Sequence, residues 1–94
     1  MKTVYDMTPD IPATVKRFAT LEEKYEDYDR WMPAFEGIYV HLKKWLEENE
    51  YEMLRRDPDN DRRFLIKDLS KDRAGYIEYW PGTDTKWEFW MVLE

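Results

Sequence analysis

The residues whose types and spacing promise chemistry are carboxylates interleaved with aromatic side chains. Glu22, Glu23, Glu26, Asp27 and Asp29, then Glu36, alternate with Tyr25, Tyr28 and Trp31, while Glu47, Glu48, Glu50 and Glu52 surround Tyr51. A run of this kind breaks no bond by itself. It offers a negative potential that steers a basic partner, with tyrosine and tryptophan as the residues that most often anchor interfaces. A merely solvated helix face has the same composition. The candidate partner-binding set is Glu22, Tyr25, Glu26, Tyr28 and Asp29.

A second constellation is basic. Arg55, Arg56, Arg62 and Arg63 flank the turn Asp57-Pro58-Asp59-Asn60-Asp61, with Tyr51, Tyr76, Tyr79 and Trp80 within the same half of the chain. Arginines beside aromatic residues on an open sheet are how several single-strand nucleic-acid binders work. Here Asp57, Asp59 and Asp61 dilute the positive potential, and neither a Gly-aromatic ribonucleoprotein motif nor a helix-turn-helix signature accompanies it. Asp57-x-Asp59-x-Asp61 with Asp68 also has the outline of a calcium loop, but Arg62 stands where the sharp turn needs glycine and Pro58 lies inside. No metal or other cofactor is expected. His41, the only histidine, has no acid or second histidine at ligating spacing, and Ser70 has no glycine elbow. With no nucleophile–base–oxyanion set, the sequence points away from an enzyme.

Charge balance sharpens the contrast. The net charge is −6, where a duplex-binding domain is normally basic. Residues 20–36 carry six acids against two bases, residues 47–52 four acids and no base, and residues 53–73 seven bases against five acids. The charge is segregated along the chain. With no cysteine, no disulfide or thiolate chemistry is available. The first residues contain no apolar signal-like run and no stretch is long enough to span a membrane, so a cytoplasmic setting is expected. Mean hydropathy is −0.90, yet 17% of the 94 residues are aromatic, which separates the chain from disordered sequences. Its length suits one domain, residues 1–94.

The elements that must position these residues follow from periodicity. Lys2–Met7 alternates as a short strand, and residues 11–19 fit either a helix entered through Pro12 or a returning strand. Thr20-x-x-Glu23 has the form of a capping box that starts a helix at Leu21. Apolar residues then recur at helical spacing from Leu21 to Leu46, and Pro33 interrupts them, giving either a kinked helix or two helices of about 21–31 and 34–48. Residues 51–56, 62–69, 75–80 and 86–93 alternate as strands separated by turn-forming clusters, the last of which is Pro81–Asp84. Trp87, Phe89, Met91 and Leu93 share one face, directed at the helices. Trp90 and Val92, with Tyr76 and Trp80, then form an outer aromatic patch. The expected fold is α+β, with one or two consecutive helices on one face of a three- to four-stranded antiparallel β-meander.

In size, acidity and aromatic content the chain is similar to the small anti-CRISPR and anti-restriction inhibitors of phages and mobile elements, some of which mimic DNA. That resemblance implies an inhibitor occupying the basic, nucleic-acid-binding site of a partner protein. Two alternatives are a single-stranded nucleic-acid-binding module built on Arg55, Arg56, Arg62 and Arg63, and a homodimer joined through Trp80, Trp90 and Val92.

Overall fold

The computed structural model describes residues 2–81 and 87–94. Its elements run β1 (Thr3–Asp6), α1 (Ala13–Lys24), α2 (Tyr28–Glu48), β2 (Tyr51–Arg56), β3 (Arg63–Asp68), β4 (Arg73–Pro81) and β5 (Trp87–Leu93). The strands form one antiparallel sheet in the order β1-β5-β4-β3-β2, with both helices on one face. The α+β class is as expected. A fifth strand joins the meander because β1 pairs with β5, from Thr3 opposite Leu93 to Asp6 opposite Trp90. Beyond Pro81, the turn expected at 81–84 lies outside the described residues.

The helix boundaries differ from those expected, for local reasons. Residues 11–19 are helical from Ala13, with Pro12 (φ −58°) as the residue before the first turn. Thr20 therefore lies inside α1 and caps nothing. Its hydroxyl donates to the Lys16 carbonyl at 3.1 Å and accepts from Trp87 Nε1 at 3.1 Å. The break between helices is the short connection Tyr25–Asp27, not Pro33. Pro33 sits in the second turn of α2, where its missing N–H forfeits one backbone hydrogen bond without ending the helix.

The helices bury narrow stripes. Val15, Ala19 and Glu22 face inward on α1, and Ala34, Ile38, Leu42 and Leu46 do so on α2. They meet Phe64, Ile66, Ile77, Tyr79, Trp87, Phe89, Met91 and Leu93 from the sheet. The inner face of β5 is the one read from its alternation. Helices entering at 3.6-residue periodicity onto a face of period two produce one continuous core.

Asp68 closes the turn from β3 to β4. Although 2% exposed, its Oδ1 accepts from the Ser70 hydroxyl (2.7 Å), the Ser70 N–H (3.0 Å) and the Lys71 N–H (3.3 Å). Burial alone would raise this carboxyl, but these bonds and the Lys71 charge hold it below its ordinary value. Its contribution to stability is thus present above the ordinary value of 3.8 and is lost as pH falls through the lower folded value. Asp68→Ala is expected to cost about 1–3 kcal/mol in urea unfolding at neutral pH. The difference from the wild type should shrink in acid.

Candidate functional site

Of the five partner-binding residues inferred from sequence, Glu22 is not on the surface. It is 5% exposed, and Tyr79 Oη donates to its carboxyl at 3.0 and 3.1 Å to the two oxygens. Arg62 Nε stands 3.8 Å away. Position 22 falls on the same helical stripe as Val15 and Ala19, which places it against the sheet. Burial raises the Glu22 carboxyl above its ordinary value of 4.5, more than the Tyr79 bond and the Arg62 charge lower it. As pH rises past 4.5 the unfolded chain releases this proton before the folded one, so stability falls until the folded carboxyl ionises too. Glu22→Gln keeps an acceptor for Tyr79 and removes the ionisation. The variant should be more stable than the wild type at neutral pH, with the two thermal midpoints converging toward pH 4.5.

The other four residues do come together. Tyr25 and Glu26 lie in the connection between the helices, and Tyr28 and Asp29 in the first turn of α2. Glu26, Tyr28 and Asp29 are exposed, as are the neighbouring Glu23 and Asp27. Arg30 approaches Asp27 at 3.9 Å and covers the Tyr25 ring at 5.7 Å, with Lys24 Nζ 6.0 Å from the same ring. Glu23, Glu26 and Asp29 have no ion-pair partner among the described residues. Asp29 also lies at the helix terminus that favours negative charge.

Tyr28, 65% exposed, is the outer end of an aromatic series that runs into the core. It meets Trp31 at 6.3 Å, Trp31 stacks on Phe35 at 5.2 Å, Phe35 on Phe64 at 6.1 Å and Phe64 on Tyr79 at 6.4 Å. Their spacing on α2 (28, 31, 35) brings them to one side of the helix. With Trp31 beside it and most of its surface open, the Tyr28 ring offers a large amphipathic face to a partner, and tyrosine's two side-chain torsions keep the entropy cost of covering it low. The exposed ridge of α2 carries further acid. Asp29, Glu36 and Glu47 lie on one helical face, about 10 and 16 Å apart along the axis.

Most of the arginine cluster is turned to internal use. Arg56 bonds the Asp61 carbonyl and carboxylate, both at 3.0 Å, and lies 4.6 Å from the Phe35 ring centre. Arg62 reaches Glu22 and covers Trp87 at 5.1 Å. Arg63 pairs with Glu78 at 3.1 Å and Asp57 at 3.5 Å over the Tyr76 ring. Only Arg55 of the four is exposed without such a contact among the described residues. Tyr79, offered by the sequence as a stacking residue, is buried. The Asp57 and Asp61 carboxylates that outlined a calcium loop serve these arginines instead.

At the far end of α2, Glu47, Glu48, Glu50 and Glu52 are all exposed and have no ion-pair partner among the described residues. Glu47 and Glu48 lie at the helix end that disfavours anions, and Glu50 holds a left-handed φ of 65°. On the outer sheet face Trp80 and Trp90 stand parallel within 3°, their centres 6.1 Å apart. The helices leave this side of the sheet uncovered. Among the described residues no helix is long and apolar enough to cross a membrane. No family model matches the chain, and neither the curated proteins nor the solved structures contain a significant match to it.

Proposed function

We propose that the chain is a small acidic inhibitor or modulator that occupies a basic, nucleic-acid-binding site on a partner protein, in the manner of phage and mobile-element anti-defence proteins of the DNA-mimic type. The contact surface is the connection between the helices with the first turn of α2. Tyr25 and Tyr28 supply the anchors, and Glu23, Glu26 and Asp29 the charge. Glu23 replaces the buried Glu22 in this set.

The observation that supports this reading is the contrast in partners between the hairpin arginines and the acids around and along α2. Arg56, Arg62 and Arg63 are paired with carboxylates and rings of this chain, whereas Glu23, Glu26, Asp29 and the Glu47–Glu52 acids are exposed and have no ion-pair partner among the described residues. A surface of this kind accelerates encounter with a basic cleft. Acids kept at the unfavourable end of α2 cost local stability, a departure from consistency that proteins tolerate where a surface is used. The pairing of three of the four hairpin arginines counts against direct nucleic-acid binding through that cluster, in which Arg55 alone is left without such a contact among the described residues.

A tagged pull-down from bacterial lysate with and without nuclease tests the proposal. The expected prey resists nuclease, carries a basic nucleic-acid-binding cleft and is released by added salt. Prey that disappears with nuclease would contradict it and favour the arginine-flanked hairpin.

A further inference from the structure

A groove between α1 and α2 has a chemistry opposite to that of the acidic surface. Thr14, Arg17, Phe18 and Leu21 share one side of α1 at helical spacing, and His41, Lys44 and Glu48 share the facing side of α2. Two neighbouring concavities of about 320 and 210 Å³ lie between these rows and share Thr14 and His41 in their linings. The larger reaches the lower end of the roughly 300–1,000 Å³ range of small-molecule sites.

Its floor is aromatic and fixed by a glycine. A Cβ at Gly37 would fall 2.4 Å from the Phe18 ring, so the absence of a side chain there lets Phe18 lie directly on the α2 backbone. Phe18 in turn stacks on His41, with ring centres 5.5 Å apart and planes within 14°. The rim is cationic. Arg17 and Lys44 are exposed, and neither has an ion-pair partner among the described residues, although the chain as a whole is acidic. Glu48, the only acid lining the groove among the described residues, stands at the end beside Trp45 and Pro12.

We infer that this groove binds a small amphipathic anion, a carboxylate, sulfonate or phosphate carried on a flat aromatic body. The body lies along Phe18 and His41, and the anionic group meets Arg17 and Lys44. Guanidinium and ammonium donors form charge-assisted bonds to such a group, while the stacked rings provide a face for the aromatic portion. The site is open and shallow, so affinity of about 10 μM to 1 mM is expected. It shares no lining residue with Tyr25–Asp29, which begins one helical turn beyond Leu21, and its occupation does not depend on the protein-binding reading.

The test is a heteronuclear NMR titration of the full chain with naphthalene-2-sulfonate. The uncharged naphthalene-2-sulfonamide and inorganic sulfate serve as comparison probes. Saturable shifts confined to Thr14, Arg17, Phe18, Leu21, His41 and Lys44 are expected. The sulfonamide and sulfate alone should each bind at least about tenfold more weakly. Arg17→Glu combined with Lys44→Glu, both at exposed positions, should weaken sulfonate binding at least about tenfold and leave the remaining spectrum intact. The inference is overturned by an absence of saturable shifts, by equal affinity for the sulfonamide, or by shifts centred on Trp80 and Trp90.

Discussion

Gly75→Ala is expected to lower the thermal unfolding midpoint by about 12–24 °C. A Cβ at position 75 would lie 1.9 Å from the Val92 carbonyl oxygen and 2.9 Å from the Leu93 Cα. Both are backbone atoms of β5, so no rotamer change relieves the contact. Nor can the strands part easily, because Gly75 pairs with Ile66 on one side and Leu93 on the other, and β5 is itself held by β1. Overpacking typically costs about 1–3 kcal/mol, and a clash with backbone on a doubly flanked strand belongs at or above the upper limit. Gly37→Ala is the natural comparison. There the atoms nearest the added methyl belong to the Phe18 side chain rather than to backbone, and that ring can swing outward, while helix propensity improves by about 1 kcal/mol. Its midpoint should move far less, and a fall as large as that of Gly75→Ala would contradict this account of the sheet.

Combining Glu23→Lys, Glu26→Lys and Asp29→Lys is expected to slow association with the partner by about 10–1,000-fold at low salt. The three carboxylates are exposed and have no ion-pair partner among the described residues, so their reversal acts on the surface potential before it acts on the fold. The structural cost should be confined to Asp29, whose loss from the first turn of α2 removes about 0.3–1 kcal/mol. Added salt should weaken wild-type binding and narrow the gap between the two proteins. Tyr28→Ala should act differently, with a loss of about 2 kcal/mol or more residing mainly in the dissociation rate. Unchanged association by the triple variant would mean that these acids are only solvated surface.

How much of this was legible in the sequence depended on which periodicity could be anchored. The alternation of Trp87, Phe89, Met91 and Leu93 correctly assigned the inner face of β5, because period two admits only two answers and the apolar set chooses one. The strand boundaries were readable for the same reason, since turn-forming clusters bracket them. The helices were harder. Thr20-x-x-Glu23 has the form of a cap, but the same spacing occurs within any helix, and here the threonine hydroxyl is taken by Lys16 and Trp87. Starting the helical register at Leu21 concealed the stripe Val15–Ala19–Glu22, and with it the burial of Glu22. Counted from Ile11 and Val15, the same residue falls on the inner face.

The candidate surface was legible in composition but not in membership. Tyr25, Glu26, Tyr28 and Asp29 cluster because the chain turns between two helices at that point, whereas sequence reading placed them along one continuous helix face. The fate of the arginines was not legible. Whether Arg62 meets Glu22 or solvent depends on pairing residues forty positions apart, which no local pattern encodes. The groove at Phe18 and His41 was hidden for a related reason: a lone histidine on a helix acquires surroundings only when a second helix, itself unassigned over residues 11–19, packs beside it.

The central claim is that the acidic, tyrosine-bearing surface occupies a site where the partner binds nucleic acid. Displacement tests it most directly: the captured partner is loaded with a fluorescently labelled nucleic acid, and the wild-type chain or the triple lysine variant is titrated in while anisotropy is followed. The account predicts stoichiometric release of the label by the wild type and little or none by the variant at equal concentration. A label that stays bound while the wild-type chain binds the same partner, forming a ternary complex, would contradict it.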